Sequence, residues 1–211
     1  MTRSATDTPE IEPTPEQTRR GRRMALLLFA VGFGPMIFAT VMYYTGWLNP
    51  NDHSNNGVLI NPPVSVTGFN LLGANNRPLE ERFGPEHEDA RWMLLVSAGT
   101  CDSDCEQLLY LARQVNIALG KNASRMSRAA WLEAVPESLE QRWPAEYTAM
   151  ERLSQKDNAR TVWPEGVDPR KEPRILLVDP FGNVMMHYGK EHTGKQILGD
   201  LKHLLRLSQI G

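Results

Sequence analysis

The sequence predicts an α/β protein, a sandwich with a central mixed sheet flanked by helices, preceded by one transmembrane helix. Three observations predict it. A charge-free apolar run over residues 24–47 follows a basic cluster near the N-terminus. A strand-type run, Trp92-Met93-Leu94-Leu95-Val96-Ser97, ends in the small residues Ala98 and Gly99 and passes through two cysteines into a helical pattern. Near the C-terminus two strand-like runs flank Asp179-Pro180-Phe181-Gly182, and an apolar stripe at helical spacing follows.

Residues 1–23 read as a tail. Up to about residue 18 they are polar and proline-rich with nothing to bury, which is the composition of a disordered segment. Arg19, Arg20, Arg22 and Arg23 stand directly before the apolar run. Such a basic cluster keeps its side of the span in the cytoplasm, and Tyr43, Tyr44 and Trp47 suit an aromatic belt on the far side. A cleavable signal peptide is the competing reading. The run is longer than a usual signal core, and no clear small-x-small site follows it. The expected arrangement is single-pass, with the rest of the chain facing an oxidising space, the bacterial periplasm, from the inner membrane.

Residues 48–90, rich in Asn, Pro and Gly, read as a stalk, with Val58-Leu59-Ile60 a short edge strand before Pro62-Pro63. His53 in that stalk reads as solvated. The domain proper is expected over 91–211. Its first strand, from Arg91 to Ser97, is a short, nearly continuous apolar run, as in a strand buried on both faces. Leu108, Leu109, Ala112, Val115 and Leu119 then repeat at helical spacing up to Gly120. Residues 125–133 suit a second strand, and Leu139, Trp143, Tyr147, Met150 and Leu153 suggest a helix or two. The hairpin follows, then a closing helix with Ile197, Leu198, Leu201, Leu204 and Leu205 on one stripe. Trp131, Trp143 and Trp163 read as packing residues.

The chemistry-bearing feature is the spacing of the only two cysteines, Cys101 and Cys105. Residues four apart on a helix have Cβ atoms about 5–6 Å apart, whereas a relaxed disulfide wants roughly 3.5–4.5 Å. A bond between them therefore requires Cys101 to lie in the turn before the helix, where Gly99 and Thr100 let the backbone bend. Such a bond suits exchange better than stapling, because closing so short a loop restricts the unfolded chain little. Reduced, the two thiolates can converge on one soft ion such as Cu(I) or Zn(II). A helix N-terminus lowers a thiol pKa, while Asp102 and Asp104 push it up. The alternative is a structural disulfide between near neighbours.

The order strand, Cys-x-x-x-Cys, helix, strand, helix, hairpin, helix resembles the thioredoxin fold. With the N-terminal span and the three-residue spacing, it resembles the Sco (SenC) family, membrane-anchored thioredoxin-like proteins that deliver copper to cytochrome c oxidase. The resemblance implies an oxidase assembly factor whose partner is an oxidase subunit or another assembly factor. It implies Cys101 as the more exposed attacking thiol and Cys105 as the resolving one, with Cu(I) handling by the pair. Where the family has prolines after its cysteines, Asp102 and Glu106 stand here. The stretch that would carry the family's metal-binding histidine, Glu165–Glu172, has none, and Lys171 stands roughly in its place. His187 substitutes as a ligand only if the hairpin returns it to the cysteines. His192 and His203 read as surface residues. Pro173 falls where thioredoxin-like proteins hold a cis-proline, a plain turn proline being the alternative. A second reading from a different class is a non-catalytic, membrane-anchored interaction protein with a degenerate site.

The formal net charge of -2 gives no reason to expect a nucleic-acid partner. A Gly-rich phosphate loop and HExxH are absent from the sequence, and no serine triad stands out.

Overall fold

The computed structural model describes residues 15–45, 55–87, 89–157 and 161–208. The chain divides into two units, 1–53 and 54–211.

The described residues of the first unit form one helix, α1 (Pro15–Thr45), long and apolar enough to cross a bilayer. It begins before the arginine cluster, so residues 15–23, expected as part of a tail, are helical. Residues 1–14 of that tail, and 46–47 at the end of the expected span, lie outside the described residues. The Thr40 hydroxyl donates to the Met36 carbonyl at 2.8 Å, and Thr45 donates to Val41 at 2.7 Å. Both hydroxyls are thus satisfied inside the helix, as an apolar surrounding demands.

The second unit is built on a seven-stranded mixed sheet in the order β1-β7-β6-β3-β4-β5-β2. Its strands are β1 (Val58–Ser65), β2 (Leu71–Leu72), β3 (Trp92–Thr100), β4 (Met126–Ala134), β5 (Glu151–Gln155), β6 (Arg174–Val178) and β7 (Asn183–Tyr188). β3, β4 and β5 run parallel, and the remaining pairs are antiparallel. The helices are α2 (Ser103–Ala118), α3 (Glu137–Glu146) and α4 (Gly194–Leu207). All three pack on one face, against Leu94, Val96, Ile175 and Leu177. The other face carries Met93, Leu95, Trp131, Leu176 and Val178 and is covered by Val66, Phe69, Leu79 and Phe83.

That second layer corrects the expected stalk. Residues 58–65 are a full edge strand paired to β7, and Val66, Phe69, Leu71 and Leu79 are buried. The Asn and Pro content suited a linker, but the apolar residues among them fill the sheet's second face. β5 was also unforeseen, since Glu151-Arg152-Leu153-Ser154-Gln155 buries only Leu153 and so lacks a strand's alternation.

The start of the domain is fixed by one carboxylate. Asp200 of α4, 3% exposed, accepts from Asn56 N at 2.9 Å, Asn56 Nδ2 at 2.8 Å, Gly57 N at 2.8 Å and the Tyr188 hydroxyl at 3.2 Å. Gly57 admits no side chain, because a Cβ there would stand 2.4 Å from the Tyr188 ring and 2.5 Å from Met186 Sδ. Burial, then the adjacent Asp200, push the Tyr188 phenol above its ordinary range.

α4 opens with a capping box. Gln196 N donates to Thr193 Oγ1 at 3.3 Å, and Thr193 N donates to Gln196 Oε1 at 2.8 Å. Thr193→Ala is therefore expected to cost about 1 kcal/mol, read as a lowered denaturation midpoint with unchanged slope. A midpoint equal to that of the parent would contradict this.

Candidate functional site

β3 is buried from Trp92 to Gly99 and emerges at Thr100. Gly99 lets the 161–173 segment approach closely, because a Cβ there would lie 3.0 Å from Arg170 Cα and 3.2 Å from its carbonyl oxygen and would push that segment back by a few tenths of an ångström. The chain then turns, and Asp102, in extended conformation, caps α2 by accepting from Cys105 N at 3.0 Å. Cys101 thus precedes the helix while Cys105 lies in its first turn. The two are joined as a disulfide with their Cα atoms 5.0 Å apart. Cys101 N donates to the Ala134 carbonyl at the end of β4, at 3.1 Å.

Two expectations about this pair change. Cys101 is not the exposed member, since Cys101 and Cys105 are 1% and 0% exposed and belong to the helix-side core. Of the two acids expected to oppose a thiolate, Asp102 is taken up as the helix cap and Asp104 in an ion pair. Asp104 bridges to Lys190 at 2.7 Å, and that bond holds the Lys190 ammonium above its ordinary range. Glu106 bridges to Arg142 of α3 at 2.7 Å, and Arg142 also reaches Glu146 at 3.3 Å.

The strand-side flank is formed by residues 161–173. Gly99 N donates to the Pro169 carbonyl at 3.0 Å. Arg170 Nε reaches Glu133 at 2.8 Å, and its guanidinium lies 5.4 Å from the centre of the Trp131 ring. Lys171, expected roughly where the resembled family carries its histidine, is largely exposed and stands 3.7 Å from Asp168. Among the described residues the one cis peptide is Asn61–Pro62, so the bond before Pro173 is trans and Pro173 is a turn proline.

The structure does not bring the histidines to the cysteines. His187 on β7 registers with Leu176, which registers with Leu95, all on the face opposite α2. The dithiol belongs to the other face, and β7 is two strands from β3. The His187 ring is part-buried with Nδ1 unpartnered, and burial, then Arg174, hold its pKa below the ordinary value. His192, expected at the surface, is buried, with Nδ1 3.1 Å from Gly189 N and Nε2 3.1 Å from the Asn56 carbonyl. His203 lies at the surface beside Arg206. Among the described residues, no three His, Cys, Asp or Glu side chains gather as a metal centre.

Sequence reasoning missed the Asp102 cap and the role of Arg170. The first was signalled by an Asp directly before an apolar helical pattern. The second had no local signal, because Arg170, Glu133 and Trp131 meet only through the sheet. Asp102→Ala is expected to cost about 1 kcal/mol by freeing the Cys105 N–H, measurable by denaturation of the oxidised protein. No loss of stability would contradict the cap.

Two family models match the sequence. One, described as the transmembrane-like, thioredoxin-like C-terminal domain, spans residues 92–208, and the other, the transmembrane-like N-terminal domain, spans 15–46. A search of curated proteins finds no match. Among solved structures, yeast Sco1 is similar at 11% identity with a TM-score of 0.51, covering 72% of this chain and 97% of its own. Copper-bound ScoI of Arabidopsis thaliana matches at 13% identity and 0.47, over 69% of this chain and 98% of its own. A thiol peroxidase from Chromobacterium violaceum matches at 14% and 0.44, over 72% and 89%. At these identities the likeness is one of fold.

Proposed function

The chain belongs to the transmembrane-like, thioredoxin-like family, and on that footing we propose that it is a membrane-anchored assembly factor for a respiratory cytochrome c oxidase, acting by thiol–disulfide exchange. The observation that carries the reading is the disulfide between Cys101, in the turn after β3, and Cys105, in the first turn of α2. In the reduced pair, one cysteine thiolate attacks a partner disulfide, and the displaced partner sulfur leaves as a thiolate that takes up a proton. The other cysteine then attacks the mixed disulfide, so the partner receives two electrons and both of its cysteines are left reduced. Cys101 and Cys105 end as the disulfide seen here, and a periplasmic dithiol donor must re-reduce the pair. The basic cluster in the N-terminal turns of α1 supports a bacterial inner-membrane protein with its N-terminus cytoplasmic and its domain periplasmic, where a disulfide persists. The partner is an oxidase subunit or another assembly factor whose cysteines must stay reduced for metallation.

Copper fits this donor set only in the reduced state. The two sulfurs, freed from each other, are soft ligands suited to Cu(I), and neither Lys171 nor His187 supplies a third. Handling of Cu(I) by Cys101 and Cys105 alone is therefore an accessory activity in this proposal. The second reading, a non-catalytic interaction protein, is favoured by the burial of both sulfurs.

The test is loss of the chain. Membranes from cells lacking it are expected to show depleted haem–copper oxidase activity, restored by re-expression. Normal oxidase content in those membranes would reject the proposal.

A further inference from the structure

The outer side of α4 carries charge of one sign. The helix turns Ile197, Leu201 and Leu205 into the core, and its opposite stripe is Lys195, Gly199, Lys202 and Arg206, all exposed. Its single carboxylate, Asp200, is buried and already shared among Asn56, Gly57 and Tyr188. Elsewhere in the domain Arg82, Arg142, Arg152, Arg174 and Lys190 are tied to carboxylates. Among the described residues, Lys195, Lys202 and Arg206 have no carboxylate partner, and Arg206 reaches only its neighbour His203. α2 lies alongside, since a Cβ at Gly194 would stand 3.3 Å from Leu111 Cδ2. The outward positions of α2, Gln107, Tyr110, Gln114 and Ile117, carry no charge. Tyr110, Ile117 and, at the end of α4, Leu207 are exposed apolar side chains. Cations interspersed with exposed aromatic and aliphatic groups suit a surface that rests on lipid headgroups.

The chain itself limits how far this face can stand from a bilayer. Asn56, near the start of the domain, is fastened to the middle of α4, its N and Nδ2 donating to Asp200 at 2.9 and 2.8 Å. Thr45, the last residue of α1, is eleven residues earlier. A fully extended chain of that length spans at most about 40 Å. So short a tether keeps the effective concentration of lipid at α4 high, and weak charge contacts then suffice. We propose that the face formed by α4 and the outward side of α2 rests on anionic phospholipid headgroups of the membrane that α1 crosses. Lys195, Lys202 and Arg206 meet the phosphates, and Tyr110, Ile117 and Leu207 lie at the headgroup boundary. The inference rests on the membrane anchor and is independent of the exchange chemistry. Held in this way, the domain searches for its partner along the plane of the membrane and not through the full reach of its tether.

The test uses the full chain in lipid nanodiscs, made of phosphatidylcholine alone or with about a third phosphatidylglycerol. Hydroxyl-radical footprinting reads the modification of Tyr110. The internal standard is Phe181, exposed on the β6–β7 turn, whose Gly182 lies against Val66 and Phe83 of the other layer. The ratio of Tyr110 to Phe181 modification is expected to fall roughly three- to tenfold in the anionic discs, and to recover in about 0.5 M salt. The triple variant Lys195→Gln, Lys202→Gln, Arg206→Gln is expected to show the neutral-disc ratio in both. The comparison of the two discs with the parent chain stands even if that variant misfolds. Equal parent ratios in the two discs would overturn the proposal and leave an acidic protein surface as the partner of this face. Protection that survives both salt and the triple variant would also overturn it, because the contact would then be apolar. A chain that does not stay with the discs would instead reject the anchor.

Discussion

Replacing both cysteines by alanine is expected to abolish thiol exchange completely and, with it, rescue of the oxidase, while the domain stays folded. Alanine is the informative substitution. Cys101 and Cys105 are 1% and 0% exposed, and serine would leave hydroxyls in an apolar core at roughly 1–3 kcal/mol each if unpaired. Closing a loop this short contributes at most about 2 kcal/mol through the unfolded chain, which a domain of this size withstands. The checks are oxidase activity in membranes of the complemented strain and circular dichroism of the purified variant. Full rescue by a folded double-alanine variant would move the protein to the interaction reading.

The largest stability effect is expected at Asp200. Its carboxylate accepts from two backbone N–H groups, an amide side chain and a phenol, and it is 3% exposed. Asp200→Ala strands these donors at the point where β1 is about to begin, and about 3–5 kcal/mol of stability should be lost. Tyr188 adds a pH dependence with a definite sign. Its phenol is raised in the folded state by burial and by Asp200. The neutral form is thus favoured on folding, and its contribution is fully present below the unfolded value. That contribution is lost as pH rises above about 10. Stability curves of the parent across that range should fall, and the fall should be shallower in Tyr188→Phe, the remainder coming from groups such as Lys190 and Tyr147 that are also raised in the folded state. An Asp200→Ala variant within about 1 kcal/mol of the parent would show that water replaces the carboxylate.

The elements legible in the sequence were those whose pattern is local. The charge-free run of α1, the nearly continuous apolar run of β3, the Asp179–Gly182 turn and the stripe of α4 each carry their signal in a short window. The Asp179 carboxylate accepting from Phe181 N at 2.9 Å and Asn183 N at 2.8 Å is the turn chemistry that the motif implies. The second face of the sheet was not legible. Val66, Phe69, Leu71 and Leu79 lie in short 3-10 turns and a two-residue strand, too short to show a period, among prolines and asparagines that read as linker. At the site, the cysteine pair and its place before the helix followed from spacing. Its burial did not, because that depends on residues of α3, β4 and α4 in the same core cluster, which converge from far apart in the chain. His192 went the same way, since nothing beside it in sequence indicates that Asn56 closes over its ring.

The central claim is that Cys101–Cys105 is a working couple and not a staple. The most direct measurement is a redox titration of the full chain against graded ratios of reduced and oxidised dithiothreitol, with the thiol content read at equilibrium from both directions. The account predicts one reversible two-electron transition, with the same midpoint on reduction and reoxidation and no loss of structure. A disulfide that resists the fully reducing end while the fold is intact, and opens only when the domain unfolds, would contradict it.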